Sequence, residues 1–158
     1  MTPNKRKATA LAIAVAIAIP AEGLRQTAYR DQVGILTVCY GTTGKDVTRG
    51  TLYTLDQCKA LLNRDMLDAV ERVEACVPGL PAKTLAAFAD AVYNLGPTLV
   101  CDTGRSTAAR LLKAGDIKGA CNQLPRWDKA NVGGIMVPLP GLTKRRTKEQ
   151  ALCLEGLS

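Results

Sequence analysis

The chain has 158 residues, 47% of them apolar, with 21 Lys and Arg against 14 Asp and Glu, no His, and a formal net charge of +7. That length supports one domain burying roughly two-thirds of its unfolded surface, and the missing histidine excludes Ser-His-Asp and Cys-His nucleophile activation and any His-ligated zinc site. The basic balance favours a polyanionic partner by steering and local concentration. Nucleic acid is not expected as that partner, because aromatics are few and no helix-turn-helix, zinc or RNA-binding signature is present; no cofactor is expected either.

The N-terminus reads as an export segment. Lys5, Arg6 and Lys7 precede any acid, Ala8 to Ile19 is an almost unbroken run of Ala, Ile, Leu and Val, and Pro20 closes it, which is the basic-then-apolar plan of a secretory signal. Twelve helical residues reach only about 18 Å, short of the roughly 20 residues that span a bilayer, and alanine transfers weakly, so any hold on a membrane is marginal. Cleavage anywhere from Ala18 to Ala21 would leave Glu22 almost at a new N-terminus.

The stretch Glu22 to Thr43 concentrates the chemistry. Glu22 and Asp31 stand nine residues apart and Thr37 follows six residues later. Gln32-Val33-Gly34 carries turn chemistry, and residues 35–40 (ILTVCY) are rich in β-branched and aromatic side chains, so Asp31 and Thr37 sit on or beside a small hairpin with Glu22 ahead of it. Cleaving a glycosidic bond takes a protonated acid for the leaving oxygen and an ionised carboxylate across the sugar ring. One helix-end Glu and one hairpin Asp could supply the two, although spacing alone does not establish their geometry.

Further along, Lys45 to Arg49 reads as a second short strand. Thr54 and Gln57 make a capping box, and apolar residues from Leu55 to Val73 recur at three- and four-residue steps, predicting one amphipathic helix over 54–76. Pro78, Gly79 and Pro81 stop it, and Lys83 to Asn94 reads as an Ala-rich core helix. Ser106 and Asp116 look like N-caps of two short helices. Trp127 reads as a core residue before a sugar platform. A last helix starts at Thr143 and ends at Gly156, with Arg145 and Arg146 read as a solvated basic face.

Six cysteines, at 39, 58, 76, 101, 121 and 153, match no metal spacing. Disulfides in an oxidising compartment are the better reading and agree independently with export. Sequence alone leaves many connectivities open. The elements favour Cys39–Cys58 across the small lobe, Cys76–Cys101 across the first core helix, and Cys121–Cys153 between two late helices.

The Glu-x8-Asp-x5-Thr run at Glu22, Asp31 and Thr37 resembles the catalytic element of the bacteriophage-type lysozymes, the muramidase endolysins. Flanking matches extend the resemblance over nearly everything from Glu22 onward: E-G-x-R and A-Y-x-D before the turn, G-x-x-T-x-x-Y-G after it, Tyr93-Asn94-x-Gly96, Ser106 to Asp116, Trp127, and Gly141-Leu142-x-x-Arg145-Arg146-x-x-Glu149. Thr42 departs from a family that often has His there, which touches local hydrogen bonding more than activity. The resemblance implies an α+β, mainly helical, lysozyme-like fold with a small N-terminal β-hairpin lobe and a larger helical lobe. It implies hydrolysis of the β-1,4 bond between N-acetylmuramic acid and N-acetylglucosamine, with Glu22 as general acid, Asp31 as the carboxylate that activates water or stabilises the oxocarbenium ion, and Thr37 as the hydroxyl that orients that water. An arginine near Arg145 pairs with the catalytic Glu in that family.

The family places its catalytic Glu near the end of a first helix, and here only the apolar run is available to form one. The resemblance therefore implies the signal-arrest-release subtype: residues 1–21 are held in the host inner membrane, then released to become the first helix of a catalytic domain over 22–158. Peptidoglycan is the expected partner, as a monomer in the periplasm. A lytic transglycosylase is the enzymatic rival, and a membrane-tethered, non-catalytic peptidoglycan-binding protein is the rival from another class.

Overall fold

A computed structural model describes every residue of the chain except Gln32 and Asp46. The chain opens with helix α1 (Pro3–Ala21), started by Thr2, whose hydroxyl accepts the Lys5 N–H at 3.2 Å. Pro20 lies in its last turn, where a missing N–H costs one bond at the end of the helix instead of breaking its middle. Ala10, Ala14 and Ala18 are fully buried. At four-residue spacing these small side chains form one ridge, which brings α1 close to its neighbour. No helix among the described residues is long and apolar enough to cross a membrane.

That neighbour is α3 (Ala82–Leu95), the axle of the molecule. Residues 84–92 are all buried, because α1, α2 (Leu55–Cys76) and α7 (Pro140–Glu155) enclose the helix on every side. The long helix predicted over 54–76 forms as α2, with both halves of the Thr54–Gln57 capping box made and Cys58, Leu62, Met66, Ala69, Val70 and Val73 facing inward. Arg6 and Lys7 fasten α1 across α2 through Glu74 and Glu71, and Arg6 also donates to the Leu80 carbonyl at 2.7 Å.

The small lobe is an antiparallel sheet in the order β1 (Arg25–Arg30), β2 (Leu36–Cys39), β3 (Thr42–Thr43). Tyr29 pairs with Thr37, and Thr37 with Thr43. The second short strand is therefore Thr42–Thr43 and not Lys45–Arg49. Cys39 at φ 61° and Gly41 at φ 99° turn the chain back sooner than the strand propensity of the later residues implies. Gln32, part of the expected turn, and Asp46, inside the expected strand, lie outside the described residues.

Four small elements follow α3: α4 (Thr98–Cys101), α5 (Thr107–Lys113), α6 (Ile117–Cys121) and a 3-10 turn at Leu124–Trp127. Ser106 and Asp116 cap α5 and α6 as expected, and Trp127 packs on the core. A hairpin of β4 (Lys129–Val132) and β5 (Ile135–Pro138) turns at Gly133-Gly134, the two-residue loop that suits a tight hairpin. The last helix begins at Pro140, earlier than Thr143. Pro140 stands in its first turn, and the Thr143 hydroxyl donates instead to Asp128 at 2.7 Å. Disulfides join Cys39 to Cys58, Cys76 to Cys101 and Cys121 to Cys153, tying β2 to α2, α2 to α4 and α6 to α7.

Candidate active site

Glu22 stands where α1 gives way to the sheet. Its N–H closes the helix on the Ala18 carbonyl at 2.8 Å, and its backbone is already extended. Oε1 accepts from Arg145 Nη1 at 2.6 Å, joining residues 123 positions apart. On the other side is Gly41, where a Cβ would lie 3.8 Å from Glu22 Oε2 and 3.5 Å from the Tyr93 hydroxyl. That hydroxyl donates to the Tyr40 carbonyl, and burial followed by the nearby Glu22 and Asp65 carboxylates pushes it well above the usual tyrosine range. Tyr93 is thus a fixed neutral donor.

Arg145 and Arg146 are 6% and 0% exposed, so the reading of this pair as a solvated face is overturned, while the arginine–glutamate pairing that the resemblance implies is present between Arg145 and Glu22. A guanidinium enters a core only when paired, and the partner that sequence reading missed is Asp90 on α3, fully buried. Arg145 Nε and Nη2 fork onto its two oxygens at 2.9 and 2.7 Å. Burial works against the Arg145 charge, but Asp90 and Glu22 outweigh it and raise its pKa. Arg146 Nη2 donates to Asn94 at 2.8 Å and to Glu149 at 3.0 Å. Arg146 Nε is 2.8 Å from Glu149 Oε2, yet neither atom has a properly aligned hydrogen bond. Burial and then contact with Asp90 push Glu149 up to about 10.

Asp31 and Thr37 lie on the hairpin. Asp31 Oδ1 accepts the N–H groups of Val33 and Ile35 at 3.0 and 2.8 Å, which fixes the plane of the carboxylate while it closes the turn. Thr37 is buried and its hydroxyl donates to the Ile35 carbonyl at 3.0 Å, so its lone pairs are what it offers elsewhere. Thr42, the departure from the family pattern, donates to Asp65 on α2 at 2.9 Å. A neutral hydroxyl therefore ties the sheet to the helix.

Gly41, Thr43, Asp65, Asp68, Arg72 and Tyr93 line a cleft of about 290 Å³, and of these Gly41 borders the acid, since a Cβ there would stand 3.8 Å from Glu22 Oε2. No group of three or more metal-ligating side chains occurs among the described residues. The missed residue had a sequence signal: Asp90 is a lone acid inside the apolar run Ala86 to Val92, where burial demands a cationic partner.

The sequence profile of the phage lysozyme family matches residues 20–149. The SAR-endolysin of Bacteriophage PS119 is 43% identical over 136 residues, spanning 85% of this chain and 77% of that protein. The active form of the P1 phage endolysin Lyz superposes with a TM-score of 0.77 at 28% identity, covering 92% of this chain and 85% of that one. The secreted inactive form of the same endolysin superposes with a TM-score of 0.53 at 30% identity, covering 73% and 78%.

Proposed function

The chain belongs to the phage lysozyme family and is a muramidase endolysin of the signal-arrest-release type; from that premise we propose which residues carry the cleavage and how the N-terminus controls it. Glu22 is the general acid that protonates the leaving oxygen when the β-1,4 bond between N-acetylmuramic acid and N-acetylglucosamine breaks. Asp31 meets the other side of the sugar, activating water or stabilising the developing oxocarbenium charge through the carboxylate edge opposite its two backbone donors. Thr37 accepts from that water, since its own hydrogen is committed to Ile35. The observation that carries this reading is Glu22 itself, held by a buried arginine on one side and bordered by the residues of the cleft on the other.

Residues 1–21 act first as the arrest segment in the inner membrane of the host and then, uncleaved, as α1 of a periplasmic monomer. Two observations support this. Docked α1 ends in Glu22 as its C-cap, hydrogen-bonded to the Ala18 carbonyl, and the fold is closer to the active form of the P1 endolysin than to its secreted inactive form. The test is turbidity of permeabilised bacteria exposed to wild type and Glu22→Gln. Clearing by wild type alone is expected, and equal clearing by both sinks the assignment. Mass spectrometry of the products should show reducing ends; 1,6-anhydro ends throughout would make the enzyme a lytic transglycosylase.

A further inference from the structure

We propose that Asp90 is a positioning residue for acid catalysis, acting through Arg145: it aims the guanidinium at Glu22 and offsets its charge, so that the acid is oriented without being stripped of its proton. The inference rests on Glu22 being the acid. An arginine guanidinium presents two edges of paired N–H donors to a carboxylate, and here Asp90 takes the Nε–Nη2 edge with both oxygens at 2.9 and 2.7 Å. The plane of the arginine is thereby fixed, which leaves Nη1 pointing at Glu22 Oε1 at 2.6 Å. Arg145 bound to Glu22 alone would be free to rotate about its own side chain, and its whole charge would favour the carboxylate form of the acid.

The surrounding groups show why Asp90 carries this task. Tyr93 faces the site from α3 as a neutral donor. Asp65 on α2 is engaged by Thr42. From α7, Glu149 lies 3.8 Å from Arg145 Nε but is directed to Arg146 and to Asp90. Burial and the neighbouring Asp90 raise the pKa of Glu149, and its carboxyl is taken up by Arg146 Nη2 at 3.0 Å. Arg146, engaged by Asn94 and Glu149, brings its own cation without reaching Glu22. Of the acids around Arg145 other than Glu22, Asp90 alone supplies two aligned oxygens among the described residues.

The experiment compares full-length wild type with Asp90→Asn on soluble, uncrosslinked peptidoglycan strands across pH 4–9. An asparagine fills the same volume but gives Arg145 one acceptor and no charge. Expected are a kcat reduced roughly 100-fold, the scale of a misplaced catalytic group, a KM within about twofold, and an alkaline limb of the kcat profile moved about one unit toward acid as the unbalanced arginine favours loss of the proton. A lost interaction that merely loosened the fold would not move that limb. Wild-type kcat with an unmoved limb overturns the proposal. Should Asp90→Asn not fold, guanidinium ¹⁵N spectra of the wild type decide: the Arg145 Nη1 signal should titrate with the midpoint of the alkaline limb while Nε stays fixed, and a flat Nη1 signal overturns it. If Glu22→Gln is as active as wild type, the acid assignment itself has failed; if Glu22→Gln is dead and Asp90→Asn is normal, only this inference has.

Discussion

On the proposed arrest-and-release reading, replacing alanines on the two faces of α1 should separate the membrane-held state from the released one. Ala12 and Ala16 point to solvent in the structure, whereas Ala14 and Ala18 are fully buried against the core. Ala12→Leu with Ala16→Leu adds three carbons per site. At about 0.8 kcal/mol per buried methylene, this favours the bilayer by up to ~5 kcal/mol, more than three decades in partitioning. The released fold gains little from the same change, because those side chains stay in water. Ala14→Leu with Ala18→Leu adds the same apolarity but also overfills the contact with α3, at about 1–3 kcal/mol per site. The assay is fractionation of expressing cells before and after an uncoupler, which collapses the membrane potential acting on the cationic flank. Wild type should move, uncleaved, into the soluble periplasmic fraction, and both double variants should stay in the membrane fraction. Detergent-extracted Ala12→Leu/Ala16→Leu should then clear permeabilised cells like wild type, while the Ala14→Leu/Ala18→Leu protein should be less stable and less active. A solvent-face variant released as readily as wild type would refute the reasoning, as would a wild-type chain shortened by about 20 residues.

Two further outcomes follow from the site. Gly41→Ala should destabilise the protein by about 1–2 kcal/mol, because φ 99° suits no L side chain, whereas the added carbon would make only ordinary contacts with Glu22 Oε2 and the Tyr93 hydroxyl; equilibrium urea unfolding with the disulfides intact checks this. For Glu149, a folded pKa raised to about 10 means that its stabilising contribution is full below the ordinary carboxylate range and is lost as pH climbs toward 10. The native state then holds a proton that the unfolded chain has lost, so Glu149→Gln should flatten the decline in urea midpoint between pH 5 and 9, and an unchanged slope would show that Glu149 is ionised throughout.

What the sequence made legible was local. The Thr54–Gln57 capping box and the apolar steps of α2 depend on residues within one or two turns, and both appear where expected. The caps at Ser106 and Asp116 are equally local. Arg145 and Arg146 were misread as a solvated face because a basic pair on a helix has the same pattern whether it meets water or a carboxylate. The decision lies 55 residues away, at Asp90. The strand after Gly44 was misplaced for a related reason. Pairing begins where Cys39 and Gly41 adopt positive φ, and in Cys39 a disulfide-bonded non-glycine residue holds that conformation, which no propensity anticipates. Glu22, Asp31 and Thr37 were legible as a spaced trio from the family resemblance, whereas the Arg145–Asp90 frame around Glu22 required the assembled helices.

The alanines of α1 show why its sequence looked ambiguous between a signal and a core helix. On the proposed reading this segment answers to two solvents. A leucine-rich run would hold the bilayer too well to leave it, and a polar run would never be arrested. Alanine is apolar enough to enter, weak enough to escape, and small enough at positions 10, 14 and 18 to let α1 approach α3 with nothing exposed along the contact. The catalytic consequence follows directly from the chain. Glu22 is hydrogen-bonded to Ala18, on the last turn of that same ridge, while Arg145 arrives from the opposite end of the protein. Docking the alanine ridge and presenting the acid to its arginine are therefore one structural event. On that proposed reading, a chain still held in the membrane would have Glu22 at the bilayer surface and Arg145 without it, and latency would need no inhibitor beyond the place where the first helix resides.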